Sequence, residues 1–215
     1  PTVVNIDGFQ LTHMIEPLEF PTQAQVNKFL PDRKPFATLH PDNPMTMGAF
    51  NMPDIFTETM KAKDTALWNS RKTIVKVFNE WGKQFGRKYN VVETYKNKDA
   101  ETIILTMGSM GETAMIAVDE MRKAGKKVGL VKLRLWRPFP VDELRAAIKG
   151  CKTLIVMDRA ISFGGAGGPV ATEIKSFLFH DKGRPRIVDF LMGLGGRDVT
   201  VEDFIAMVER AKKKK

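Results

Sequence analysis

The sequence has 215 residues, of which 43% are hydrophobic and 27% charged, the make-up of a chain able to bury one or two cores. Its net charge of +9 is uneven: 12 Lys/Arg stand against 10 Asp/Glu up to residue 97 and 22 against 15 after it, with four lysines in the tail Lys212–Lys215. This is a solvated tail with scattered surface lysines, not a basic stripe interleaved with aromatics, so it argues against a nucleic-acid partner; the longest apolar runs, Thr102–Met107 and Thr153–Met157, fall far short of the roughly 20 residues that span a bilayer.

Taken in order, the chain opens on an apolar, strand-like run, Val3-Val4-Asn5-Ile6, directly after Pro1-Thr2. With neither an initiator Met nor a signal peptide, it is expected to start inside a fold and to be cytoplasmic. Eight of the twelve prolines lie in the first 53 residues. Each removes a backbone donor and disfavours helix just before it, so Pro17–Pro53 reads as an extended arm. Such a stretch makes sense wrapped on a neighbouring domain or subunit, with Phe20, Phe29, Leu30, Phe36 and Phe50 as anchors.

Pro53-Asp54 then starts a long helix, along which Leu67, Ile74, Phe78, Trp81 and Phe85 recur at helical spacing until Gly86 ends the run. A short strand, Val91–Tyr95, and the polar link Lys96–Ala100 close this region.

Beyond Ala100 strands and helices alternate. Strand Thr102–Met107 precedes helix Glu112–Lys123, Val128–Leu135 precedes Val141–Lys149, Leu154–Met157 precedes Val170–His180, and Arg186–Leu191 precedes Val201–Ala211. Four such units predict an α/β fold, a parallel twisted sheet with helices on both faces. Ser109 with Glu112 has the spacing of a capping box, Gly125 and Gly150 sit at helix ends, and Thr200 with Asp203 can cap the last helix.

Ligands and partners of such sheets meet the carboxyl ends of the strands. Four loops fall there: Gly108–Glu112, Trp136–Pro140, Asp158–Pro169 and Gly193–Asp198. Their glycines suggest a phosphate cradle, but no G-x-x-x-x-G-K-[ST] or G-x-G-x-x-G fingerprint is present, and the second strand runs into Arg134-Leu135-Trp136-Arg137 in place of a ribose-binding acid. A free-standing nucleotide-binding module is therefore the alternative reading. The plainer reading is that the glycines allow tight strand-to-helix turns and close packing; the other is a rim that docks another domain, with Gly108, Ser109, Glu112, Arg137, Arg159, Gly195 and Arg197 as its residues. The single cysteine, Cys151, excludes an internal disulfide and a thiolate cluster for zinc or iron–sulfur, and His13, His40 and His180 form no metal motif, so no metal site is expected from this chain alone.

These loops carry a resemblance. Leu105–Thr113, Lys132–Pro140 and Val156–Arg159 look like successive motifs of the transketolase-C-terminal-like domain in the α subunit of 2-oxoacid:ferredoxin oxidoreductases. Asp7-Gly8-Phe9 with Thr12-His13 and Glu16 is similar to the D-G-F-x-x-[ST]-H segment that ends the thiamine-binding domain of that subunit, and the likeness continues through Phe85–Tyr89 and Leu194–Asp198. Asp158-Arg159 and the Pro-rich arm resemble the pyruvate class more than the 2-oxoglutarate class; branched-chain and oxalate relatives stay open.

The resemblance implies three parts: residues 1–16 as the end of a thiamine-binding domain, 17–97 as arm and long-helix linker, and 98–215 as the transketolase-C-terminal-like domain. It implies an enzyme complex that uses thiamine diphosphate with Mg²⁺, iron–sulfur clusters and coenzyme A to make acyl-CoA, CO2 and reduced ferredoxin. Its partners would be the other subunits and ferredoxin, this chain alone holding none of the cofactors and being inactive by itself. Asp7, Thr12, His13 and Glu16 become the candidates nearest the active site, His13 being the one whose ordinary pKa lies near neutrality.

Overall fold

The computed structural model describes residues 2–8, 10–48 and 50–213, the side chain of Gln10 excepted; Phe9 of the D-G-F motif and the last two tail lysines lie outside the described residues. Residues up to Ile15 and those from Asn90 onward form one unit, and Glu16–Tyr89 a second.

The first unit is built on a five-stranded sheet in the order β1-β3-β2-β4-β5, with β1 at Val92–Tyr95, β2 at Thr102–Met107, β3 at Val128–Leu133, β4 at Thr153–Asp158 and β5 at Arg186–Leu191. The last four are mutually parallel, in agreement with the alternation in the sequence. The edge strand differs. β1 pairs antiparallel with β3, from Val92 opposite Leu133 to Tyr95 opposite Leu130, so the sheet is mixed and begins before the polar link. An edge position suits a strand of four residues, because only one of its sides must find backbone partners.

Four helices cover the sheet: α4 (Met110–Lys123), α5 (Val141–Ala147), α6 (Pro169–Phe177) and α7 (Val201–Lys213). Side chains alternate between faces along a strand. Ile104, Leu130 and Ile155 accordingly join Ala114, Val118, Phe204 and Val208 of α4 and α7 in one apolar cluster. Leu144 of α5 and Ile174 of α6 are fully buried as well. Thr200 and Asp203 form the reciprocal cap expected at the start of α7, the Asp203 N–H donating to the Thr200 hydroxyl at 3.3 Å and the Thr200 N–H to the Asp203 carboxylate at 3.0 Å.

Val3-Val4-Asn5-Ile6 forms no strand, and its apolar side chains are exposed. A β run without a neighbouring strand leaves its backbone groups to solvent and gains nothing from the pleat. The segment ends in the single helical turn α1 (Gln10–His13).

The second unit contains α2 (Gln23–Phe29) and α3 (Pro53–Phe85), the latter capped by Gly86 as the sequence predicts. α2 lies inside the stretch read as extended. It forms because Thr22 and Gln25 make a complete capping box, the Gln25 N–H donating to the Thr22 hydroxyl at 3.3 Å and the Thr22 N–H to the Gln25 side-chain Oε1 at 2.8 Å. Pro21 stands before the cap and Pro31 just after the helix, so neither interrupts it. Phe29 packs edge-on against Trp81 at 5.3 Å and Phe85 at 5.8 Å. Phe20, Leu30, Phe36 and Phe50 remain exposed.

Candidate functional site

Because β2 to β5 are parallel, the loops that follow them lie along one edge of the sheet. The chain leaves β2 to place β3 on one side, then crosses over to place β4 on the other. The connections after β2 and β4 thus diverge, and this reversal opens the crevice where doubly wound sheets take their ligands.

Asp7 lies at that crevice. One carboxylate oxygen, Oδ2, accepts from the Ser109 N–H at 3.0 Å and from the Ser109 hydroxyl, just after β2; the other, Oδ1, accepts from the Arg159 Nη1 at 2.6 Å, just after β4. Those hydrogen bonds from Ser109 and the Arg159 charge hold the Asp7 carboxyl below the usual carboxylate range, against its partial burial. Gly108 leaves β2 with a positive φ of 78°, and a Cβ there would stand 3.2 Å from the Asp7 carboxylate. Glycine is thus required twice over, for the turn and for the approach of the acid. At Gly193, φ is 69° and a Cβ would come within 3.3 Å of the Arg159 Nε, so the loop after β5 also closes around this guanidinium.

The Ser109 side chain does not cap α4 as its spacing with Glu112 suggests. No side-chain cap bond forms there, since the hydroxyl is turned to Asp7, while Glu112 reaches Lys132 at 3.0 Å. An ionised carboxylate is a stronger acceptor than the capping arrangement offers. Arg137 pairs with Glu173 of α6 at 2.7 Å and stacks over Trp136, its guanidinium carbon 4.3 Å from the ring centre. Gly195 belongs to the turn Leu194–Gly196, which the Arg197 N–H closes on the Leu194 carbonyl at 3.3 Å; the Arg197 side chain is exposed.

Of the sequence candidates, Asp7, Gly108, Ser109 and Arg159 are therefore brought together. Thr12 and His13 are exposed on α1. Glu16 opens the second unit and is exposed.

A second acid at this edge, marked in the sequence as the start of a rim loop and as part of the Asp158-Arg159 pair but not as a site residue, serves the start of α6. Asp158, the last residue of β4, is 1% exposed and accepts the N–H groups of Val170 and Ala171, both at 2.9 Å, at the start of α6. Asp189 of β5 accepts the Gly168 N–H at 2.7 Å. Burial pushes the Asp158 carboxyl up, with the neighbouring Asp189 adding to the rise and the two N–H groups opposing it. An acid at a strand end followed by a glycine run and Pro169 at the first helical position is the signal that points to this cap.

Cys151 is buried, its thiol directed to the Thr153 carbonyl at 2.9 Å and pushed up to about 11 by burial. It does not fit a thiolate ligand.

Two family models divide the chain. Residues 100–204 match pyruvate:ferredoxin oxidoreductase core domain II, and residues 1–79 match the thiamine-diphosphate-binding part of pyruvate flavodoxin/ferredoxin oxidoreductases. The chain belongs to the 2-oxoacid:ferredoxin oxidoreductase family. Within it, pyruvate synthase subunit PorA of Methanothermobacter thermautotrophicus is 41% identical over 98% of this chain and 54% of its own length. Ketoisovalerate oxidoreductase subunit VorA of Pyrococcus horikoshii is 40% identical over 99% and 54%. The chain thus spans about half the length of the curated relatives it matches. Among solved structures, a 2-oxoglutarate:ferredoxin oxidoreductase from Magnetococcus marinus is similar at a TM-score of 0.41 and 24% identity, over 66% of this chain and 23% of that one.

Proposed function

We propose that this chain is part of the α subunit of a pyruvate:ferredoxin oxidoreductase, that its α/β domain is a docking body, and that its first residues lead toward the thiamine-diphosphate site. The observation that carries the reading is the position of Asp7. A free-standing nucleotide-binding module keeps the crevice between β2 and β4 open for its ligand; here the chain's own carboxylate lies there, held by Ser109 and Arg159. The clasp fixes the start of the segment that carries Thr12 and His13, whose role is to orient the joint between domains. On this reading residues 1–16 end the thiamine-binding domain, the arm and long helix up to Tyr89 link it, and the transketolase-C-terminal-like domain, expected from residue 98, takes in β1 as well and so starts at Asn90. The complex works in the cytoplasm with ferredoxin and further subunits.

The residues in hand do not fit the cofactors by themselves. The part matched to the thiamine-diphosphate-binding model contains helices and no strand among the described residues, and its side chains are largely exposed. A single buried thiol does not hold an iron–sulfur cluster. Thiamine diphosphate with Mg²⁺, the clusters and coenzyme A are accordingly assigned to the rest of the complex, where thiamine diphosphate supplies the carbanion chemistry that releases CO2. What this chain does is mechanical: Asp7, Ser109 and Arg159 tie the segment to the sheet edge, and Arg137 with Glu173 stiffens the neighbouring loop against α6.

The test is the complete complex purified with this chain and supplied with pyruvate, coenzyme A and a viologen acceptor. Pyruvate- and coenzyme A-dependent viologen reduction is expected. Faster turnover of the branched-chain 2-oxo acid would reassign the substrate, and nucleotide binding by the isolated chain would favour the module instead.

A further inference from the structure

Helix α3 runs for 33 residues, about 50 Å at the usual rise, yet Gly82 is its sole buried residue. Phe56, Met60, Leu67, Ile74, Phe78, Trp81 and Phe85 recur along it at spacings of three, four and seven, which places them on one continuous stripe. At the carboxyl end Phe29 of α2 covers Trp81 and Phe85. Toward the amino end the same stripe is open: Phe56 is 51% exposed, Met60 38% and Leu67 40%. The opposite side carries Glu58, Lys61, Thr65, Asn69 and Lys72, as a solvated helix face does. A row of large apolar side chains that continues an already packed seam marks a contact surface, not an ordinary scatter of exposed residues.

What covers it follows from a mismatch. The thiamine-diphosphate-binding family model takes in residues 1–79, and with them the whole open part of the stripe, but no described residue in that range belongs to a strand. A cofactor domain needs a core to place its groups, and a core needs a second layer against the apolar side of this helix. We propose that the open stripe of α3, from Phe56 to Ile74, docks the sheet-bearing remainder of a thiamine-diphosphate-binding domain, so that α3 is an outer helix of that domain as well as a linker. The proposal rests on the function stated above and names the surface through which this chain joins the cofactor-binding body.

The experiment uses the complete complex carrying a photoreactive benzoylphenylalanine in place of Leu67, or in place of Lys72 on the opposite face. Leu67→benzoylphenylalanine is expected to cross-link to the thiamine-binding domain, and the Lys72 substitution to give less than about a tenth of that product, because the reactive group must lie in contact with its target. Cross-linking to a second copy of this chain, or equal yields from the two positions, overturns the proposal. The cross-link map does not depend on turnover. A complex that gives the expected map but oxidises no 2-oxo acid removes the functional reading and spares the docking surface, and an active complex without the Leu67 product does the reverse. In a second measurement, Met60→Glu with Leu67→Glu is expected to lower the thiamine diphosphate retained through gel filtration by at least about fivefold, since two carboxylates are forced into an apolar contact, while Thr65→Glu retains it. Full retention by the double variant also overturns the proposal.

Discussion

Asp7 and Arg159 stand 152 positions apart in the chain and 2.6 Å apart in the structure, joined at the point where the strand order reverses. Ser109 completes the arrangement from the other side of that crevice. Val3, Val4 and Ile6 are exposed, so their side chains add no buried contact to the segment. The carboxylate is thus what holds the segment to the domain.

The clasp is expected to open in acid. The Asp7 pKa is depressed in the folded chain, so its contribution is present above the unfolded value, near 3.8, and is lost as pH falls through the lower folded value. Relative to the intrinsic rate at each pH, amide exchange of residues 2–8 should be slowed at neutral pH and become fast below about pH 4, the ordinary range for a free Asp. Asp7→Asn should show the fast exchange at every pH and cost about 1–2 kcal/mol, allowing for the partial exposure of the pair. Slow exchange in the variant at neutral pH would falsify the clasp.

Asp158 should behave in the opposite sense. Its folded pKa is raised, so its contribution is complete below the unfolded value and is lost as pH rises through the folded one. Asp158→Asn carries no titrating group, so the stability gap between wild type and variant, read from urea midpoints, should narrow as pH rises. Asp158→Ala leaves the Val170 and Ala171 N–H groups buried without an acceptor and should cost about 2–4 kcal/mol. A gap that widens with pH would mean that the two N–H bonds outweigh burial.

Much of the α/β domain was legible because its parallel strands are mostly apolar runs, each followed by a turn and a helix. What was not legible depends on partners distant in sequence. The spacing of Ser109 and Glu112 indicates a capping box, but no local pattern reveals that a carboxylate from residue 7 takes the hydroxyl. Val3–Ile6 has the composition of a strand and lacks a neighbouring strand, and Val92–Tyr95 has such a neighbour because β3 exposes an unpaired edge. The helix at Gln23–Phe29 is the exception, for its T-x-x-Q box is a local signal, and Pro21 and Pro31, which disfavour helix just before them, both lie outside it.

Cys151 should be inert in the native state. Its thiol is buried and pushed up to about 11, so at about pH 8 the thiolate fraction is small and reagent access is blocked. An alkylating reagent should label it slowly in buffer and rapidly in urea. Equal rates would place the thiol at the surface.

The arm supplies the last prediction. Among the described residues, 31–48 and Phe50 contain no helix and their side chains are mostly exposed, whereas Lys28 lies in α2. A protease needs several residues of extended, accessible backbone, and exposed loops offer it where helices and strands do not. Arg33 and Lys34 are both exposed, but Lys34 precedes Pro35, a bond trypsin does not cut. Limited trypsin treatment of the isolated chain should therefore cut first after Arg33, with the sheet domain from Asn90 surviving long after that. Phe29→Ala removes the ring that holds α2 on Trp81 and Phe85 and should cost about 3–5 kcal/mol at most, less where the contact is open to solvent. Release of α2 should then expose the bond after Lys28 to the same protease. If Lys28 stays protected in the variant, the capping box of Thr22 and Gln25 keeps the helix by itself; if the wild-type chain is cut first within the sheet domain, the arm has more cover than its exposure indicates.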